Sequence, residues 1–440
     1  MRSYIRNINK VFWLLIFIIL SIFLTGLTKS SELHHSNVLN LQDVYDSTAF
    51  RIGLDLLINH TGETLKNKPI AIIANRGSNN RDGQHNFDVV KNILGNQCRS
   101  FIQVMEGEAS SGNTEFIYHD SELDSAIRYF TLTASDHIIN AKILNGAALV
   151  VIDLQDSGLR ESLMLGVLIE VLKFGAETQT PVIILDRPNP LQTVEIGGPI
   201  STQAKFSIGY SVPVRHGLTL GEMAFLLNEE NWLKTKKYTP LTVIKMANYH
   251  RNMSWQQTGL KWYFSDESVR DEETAILYAG LYFFQYTNIS LGTGTIQPYQ
   301  FIGAPWISAD VLADVIERQK LLGLEVHAVK FTPHRDETSA VRPLYQDTEC
   351  SGISVRVSDC AKFDSYQFGI ILLDAISRLY PRHFEWTQPA EADLFFGSAD
   401  FRTWVNIGAD LKPMLADWNV AVTTFQKLRL KYCLYPFQKK

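Results

Sequence analysis

A doubly wound, parallel α/β sheet is what this 440-residue chain should fold into. Three observations say so. Four short apolar runs, rich in β-branched residues, recur along the first half: PIAIIAN (69–75), SFIQVM (100–105), AALVVIDLQD (147–156) and PVIILDRPNP (181–190). Each is nearly continuous rather than alternating, which suits a strand buried on both faces. Helical patterns separate them, and strands alternating with helices imply parallel pairing.

The elements follow in order. HNFDVVKNILG (85–95) and ESLMLGVLIEVLKFGAE (161–177) carry the helical period, and Gly175 with Pro181 soon after makes a helix stop. LTLGEMAFLLNEENWL (218–233) reads as a helix closing the domain, opened by Thr219 as N-cap and Glu222 three residues on, a capping box. The basic, loop-like KTKKYTP (234–240) follows. Beyond it the pattern is mixed: helical TAILYAGLYFF, a Gly/Thr-rich turn LGTGTIQP, the strand-like VHAVKFTP and GISVRVSD, and a final amphipathic helix from Pro413 onward. A chain this long is expected to form two domains. The boundaries expected are a leader at 1–30, a linker at 31–48, an α/β domain at 49–235 and an α+β domain at 236–440.

The leader has its own signature. Arg2, Arg6 and Lys10 precede an apolar run from Val11 to Leu27. This is the pattern of a secretory signal, and the run also approaches the roughly 20 residues a membrane span needs. Either a cleaved signal peptide or an uncleaved anchor fits. In both cases the body is expected outside the cytoplasm, in the periplasm or on the outer face of the cytoplasmic membrane.

Composition excludes some functions. With 41 Lys and Arg against 46 Asp and Glu, the net charge is −5, and no basic stripe stands out, so a nucleic-acid partner is not expected. The four cysteines, Cys98, Cys350, Cys360 and Cys433, form no C-x-x-C pair. They read as buried thiols, with a Cys350–Cys360 disulfide as the alternative.

Open parallel sheets bind ligands beyond the carboxyl ends of their strands. That rule selects one rim: Asn75–Gly77, Glu106–Glu108, Asp153–Arg160 and Asp186–Asn189. In DLQDSGLR (153–160), Asp153 and Gln155 share a face of the extended chain, and Asp156 and Arg160 follow in the turn. Strand-end carboxylates suit acid–base work or sugar binding, and equally cap the next helix. In LDRPNP, Arg187 and Asn189 stand where a strand ends; a structural Asp–Arg pair fits as well. In PVRHGLTLGE (213–222), Arg215 suits an anionic group and His216 a proton transfer. Glu106 or Glu108, after the second strand, is a candidate general acid if an apolar pocket raises its pKa. LGTGT (291–295) is neither a dinucleotide nor a Walker loop, and no G-x-S-x-G elbow occurs.

These pieces resemble the exo-β-N-acetylmuramidase (NamZ) family over residues 51–436. The resemblance rests on RIGLDLL, ANRGSNNRDGQHNFDVV, VIDLQDSGLR, LDRPNP, the GGP of EIGGPI and PVRHGLTLGE. In the second half it rests on TGLKW, ETAILYAG, TNISLGTGT, FIGAPWI, FTP and LRLKYCLY. It implies a Rossmann-like N-terminal domain, a smaller C-terminal domain and a cleft between them. It implies a glycosidase that removes terminal N-acetylmuramic acid from peptidoglycan fragments, with no metal or other cofactor. Glu106 would be the acid, with Glu108 the alternative. Asp153, Gln155 and Asp156 would hold sugar hydroxyls or a water. Arg215, His216, Arg187 or Arg160 would meet the acidic lactyl group, and Asn75, Asn189 and Asn288 would line the substrate.

The chain also departs from the family pattern. The family's Ser-Pro-Glu-His-Gly is here Val-Met-Glu-Gly-Glu-Ala, without the His. Its aromatic stretch after the strand-end Arg is replaced by Glu161-Ser162-Leu163-Met164. Its Glu-Gly-Thr-Asn has become Gln285-Tyr286-Thr287-Asn288. A relative that binds wall fragments without cleaving them is therefore the alternative reading.

Overall fold

The computed structural model describes residues 36–39, 49–58, 68–94, 97–105, 114–120, 125–133, 141–191, 195–201, 211–264, 266, 268–335, 342–360 and 362–437. The apolar run 11–27, Glu106 and Glu108 lie outside the described residues. Residues 35–440 gather into one unit.

The main sheet is built from β1 (Ser36–Leu39), β2 (Ile70–Asn75), β3 (Cys98–Met105), β4 (Thr114–Asp120), β5 (Ser125–Thr133), β6 (Leu149–Asp153), β7 (Val182–Leu185) and, past a two-stranded ribbon, β10 (Leu241–Ile244). That ribbon is β8 (Gly197–Ser201) against β9 (Val212–Arg215). The strand order is β1-β10-β7-β6-β2-β3-β5-β4, with β4 alone antiparallel to its neighbour. Every residue of β2 and β6 is buried, which explains their unbroken apolar sequences.

Two strands extend the expected layout. Ser36–Leu39, inside the stretch expected as linker, pairs parallel with β10 at the sheet edge. Leu241–Ile244, past the expected boundary at 235/236, pairs parallel with β7.

From β2 the chain winds outward through β3 to β5. It then returns to β6 beside β2 and winds the other way through β7 to β10. The sheet therefore reverses direction between β2 and β6, and their carboxyl ends, Asn75 and Asp153, open onto the crevice where such folds bind ligands.

Helices α1 (Gly53–Ile58), α2 (Asn86–Leu94), α3 (Leu163–Thr178) and α4 (Leu220–Glu229) flank this sheet. The Ser162 hydroxyl accepts the Met164 N–H at the start of α3. The Thr219–Glu222 capping box read from the sequence opens α4.

The second layer holds a three-stranded antiparallel sheet in the order β11-β13-β12, made of β11 (Phe301–Ala304), β12 (Leu324–Phe331) and β13 (Cys350–Val357). It is packed by α5 (Glu272–Leu281), α6 (Ala309–Glu317) and α7 (Ser365–Leu379). The chain then runs through α8 (Pro389–Phe396), α9 (Asp400–Asn406) and α10 (Lys412–Arg429). Helices α5 and α7 cross at glycines: a Cβ on Gly280 would lie 2.0 Å from the Ser365 carbonyl oxygen, and one on Gly369 2.1 Å from the Gly280 carbonyl oxygen.

After α10 the chain returns to the first sheet. The Tyr435 hydroxyl donates to Asp186 Oδ2 at 2.5 Å and accepts the Met246 N–H. All four cysteines are free thiols, and burial pushes Cys98 up to about 12. Among the described residues no helix is long and apolar enough to cross a membrane.

Candidate functional site

The segments that follow β6 and β7, together with the end of β9, converge at the point where the sheet reverses. Beneath them lies a frame of buried polar side chains bonded to one another and to the backbone. Asp153 is wholly buried, and Arg187 grips both its oxygens, Oδ1 from Nε at 2.5 Å and Oδ2 from Nη2 at 2.9 Å. Asn86 donates to Oδ2 as well, and Arg187 Nη1 donates to the Asn79 carbonyl. Two charges taken out of water require such a partner on each side.

Asn75 joins the two central strands. Its Nδ2 donates to the Gln155 carbonyl at 2.8 Å, and its Oδ1 accepts the Gln155 N–H at 3.1 Å. Asn189 holds the adjoining loops, donating to the Leu218 carbonyl and accepting the Leu191 N–H. Gly158 has φ +81°, and a Cβ there would lie 2.3 Å from Asn189 Oδ1, so both the backbone angle and the space demand glycine.

Arg160 is fully buried, and its five N–H donors are all committed. They reach Glu161 twice and the carbonyls of Pro199, Val212 and Phe395 once each. No donor is left for a lactyl carboxylate, the role the sequence suggested. Asp153 and Arg187 are likewise turned inward, as struts holding the rim.

A second set of groups is buried but incompletely bonded. Gln155 Nε2 donates to the carbonyls of Asp156 and Pro188, while its Oε1 has no partner among the described residues. Asp156 Oδ2 accepts the Gly158 N–H at 2.8 Å, and its Oδ1 has no such partner. His216 Nε2 lies 3.9 Å from Asp156 Oδ2 and is also unpartnered there. His216 Nδ1 accepts the Leu218 N–H, so the neutral ring carries its proton on Nε2, facing Asp156.

The two are not an ion pair. Burial pushes His216 down to about 3, helped by the charge of Arg429 behind its backbone. Burial also raises Asp156, against hydrogen bonds from Ser162, Gly158 and Ser157 that favour the carboxylate. The proton shuttle expected of His216 gives way to a fixed neutral donor.

Arg215 binds Glu195 Oε2 at 2.8 Å and also the Leu191 carbonyl, and its Nε has no partner among the described residues. The buried Tyr366 hydroxyl is likewise unpartnered and lies in the field of Arg160 and Arg215. Glu195 is raised by burial, with Arg215 opposing and Asp364 reinforcing. Neither Glu195 nor Tyr366 stands out in the sequence as a site residue. The signal for the first was its place beside the EIGGPI glycines, since a Cβ on Gly198 would lie 2.7 Å from the Tyr366 ring. A slot of about 10 Å³, room for one water, is lined by Gly77, Gln155, Arg187, Trp255 and Tyr263 among others.

Asn288 is elsewhere. Its Nδ2 donates to the His383 carbonyl at 2.6 Å and its Oδ1 accepts the Glu385 N–H at 3.0 Å, so it braces a loop of the second layer.

Comparison with known proteins identifies the scaffold. The model described as "Exo-beta-N-acetylmuramidase NamZ, N-terminal" matches residues 70–272, and its C-terminal counterpart matches 276–435. The chain belongs to the NamZ family. Peptidoglycan beta-N-acetylmuramidase NamZ of Bacillus subtilis is 27% identical over 388 residues, covering 87% of this chain and 91% of that protein. Two crystal structures of DUF1343 family proteins from Bacteroides fragilis share the NamZ-type fold seen here. One has a TM-score of 0.77 at 22% identity and the other 0.64 at 23%. Each covers 88% of this chain, and the matches span 100% and 99% of those chains.

Proposed function

We propose that this chain is a peptidoglycan exo-β-N-acetylmuramidase acting outside the cytoplasm, as an exported protein or one held to the membrane through residues 11–27. The reading is supported by membership of the NamZ family. The observation that carries it is the Asp156–His216 couple: two buried, incompletely bonded polar groups at the carboxyl ends of β6 and β9.

A 2-acetamido sugar brings its own nucleophile. Its acetamido oxygen attacks C1 as the bond to the leaving oxygen breaks, and that oxygen takes a proton from an acid. Water then opens the resulting ring, releasing N-acetylmuramic acid and returning the proton. One acid suffices for this sequence, in contrast to the usual carboxylate pair. Glu106 is the candidate. It follows Met105, the last residue of β3, whose end lies on the same edge of the sheet.

Asp156 would accept the acetamido N–H through Oδ1. In its ionised form, which the hydrogen bonds from Ser162, Gly158 and Ser157 favour against burial, it would stabilise the positive charge that develops on the amide during attack. His216 Nε2–H donates to an oxygen of the same sugar, and Gln155 Oε1 accepts a hydroxyl. Arg215 Nε and the Tyr366 hydroxyl are donors suited to the lactyl carboxylate. Asn75, Asp153, Arg160, Arg187 and Asn189 hold these groups in place from below.

The test is release of free N-acetylmuramic acid from a MurNAc–GlcNAc disaccharide, with Glu106→Gln alongside. Turnover that disappears in the variant supports the assignment. A folded protein that binds the disaccharide and never cleaves it replaces this reading with that of a wall-binding relative.

A further inference from the structure

A cavity of about 500 Å³ opens on the second layer, between the end of α7, the loop 381–389 and α9. Its size falls within the range of small-molecule sites. None of its lining residues belongs to the rim around Asp156.

The walls are tied together by hydrogen bonds and ring contacts. The Trp386 indole N–H donates to Asn406 Oδ1 at 3.1 Å, and Phe384 meets the Trp386 ring edge-on at 5.6 Å. Asn288 pins the loop backbone through His383 and Glu385, a bridge joins Thr287 to Trp386, and the Thr387 N–H reaches the Tyr286 carbonyl.

The polar groups are of mixed sign. Arg402 grips Asp393 through Nε and Nη2, which leaves Nη1 without a bond to the described protein. The Asn406 amide nitrogen adds a donor, and the exposed Glu385 carboxylate an acceptor.

This combination discriminates between ligands. An anion is disfavoured, because Asp393 already neutralises Arg402 and Glu385 adds negative charge. A purely apolar ligand would leave the polar groups unpaired. A neutral sugar offers an apolar C–H face for a fixed aromatic ring and hydroxyls for both donors and acceptors.

We propose that this cavity is a second glycan-binding site that takes a neutral N-acetylhexosamine unit and holds a wall strand apart from the reacting end. The choice of an N-acetylated sugar among neutral sugars rests on the muramidase reading. Asn288 is then a positioning residue of this site.

The probe is di-N-acetylchitobiose, which carries no muramic acid, titrated into the full chain by saturation-transfer NMR and calorimetry. Wild type should bind it, and Trp386→Ala and Glu385→Arg should each weaken binding roughly tenfold or more, the first by loss of a stacking contact and the second by loss of a charged hydrogen-bond acceptor. Both variants should cleave the MurNAc–GlcNAc disaccharide at the wild-type rate. Trp386 packs on Phe396, so Glu385→Arg, at an exposed position, carries the result if the first variant unfolds. Absence of binding to wild type, or binding that neither substitution weakens, overturns the proposal. Trp386-dependent binding in a protein that cleaves nothing leaves the site standing and removes the muramidase reading alone.

Discussion

His216 Nε2 and Asp156 Oδ2 face each other at 3.9 Å in the interior, and burial drives both toward their neutral forms. The imidazole of His216, ordinarily near 6.5, is pushed down to about 3. Between those values the folded protein binds fewer protons here than the unfolded chain. The associated stability is therefore present above 6.5 and lost as pH falls toward 3. NMR of the ring nitrogens should show a neutral Nε2–H tautomer that does not titrate from pH 5 to 8, roughly the span of an ordinary His titration. A pKa near 6.5 for this ring would remove the fixed-donor role.

Arg160 links Glu161, Pro199, Val212 and Phe395 with every donor it has. Arg160→Ala should destabilise the protein by roughly 3–5 kcal/mol in chemical denaturation, the usual effect of breaking a buried charge pair. A fully stable variant with weakened binding of muramic acid would show instead that Arg160 serves the ligand.

Asp186 receives hydrogen bonds from Tyr435, Thr219 and Gly221, and burial still pushes it up to about 6. Its folded pKa lies above the unfolded 3.8, so its stabilising contribution is present below 3.8 and lost as pH rises through about 6. The stability of wild type relative to Asp186→Asn should fall across that window. Tyr435→Phe should destabilise by about 1–3 kcal/mol, since a buried acceptor loses a donor.

Gly280→Ala should separate α5 from α7, because the new methyl would meet a backbone oxygen rather than a yielding side chain. Overpacking of this kind destabilises by about 1–3 kcal/mol. A variant with unchanged unfolding midpoint would contradict the close crossing.

The central strands were legible because burial on both faces leaves an unmistakable apolar run, as at Ile70–Ala74 and Leu149–Ile152. Ser36–Leu39 was not, since four residues at a sheet edge leave little pattern. The hairpin of β4 and β5 escaped for a related reason. Its strands, TEFIYHD and SAIRYFTLT, mix polar and apolar residues and lack a continuous run. The capping box at Thr219 is local and was read directly. The strand-end rule named Asn75, Asp153, Gln155, Asp156, Arg187 and Asn189, which the fold brings near one another, but the division between struts and incompletely bonded groups was hidden. It depends on partners far along the chain, such as Phe395 for Arg160, 235 residues away. Asn288 braces a loop 95 residues on, a contact its own neighbourhood does not announce.

The most direct test is the rate of N-acetylmuramic acid release from MurNAc–GlcNAc by wild type and by Asp156→Asn, each with its folding checked. Wild type should turn over, and the variant should be slower by roughly a hundredfold or more, the usual loss when a charge-stabilising group is removed. A folded wild type without turnover, or an Asp156→Asn variant as fast as wild type, would contradict the account.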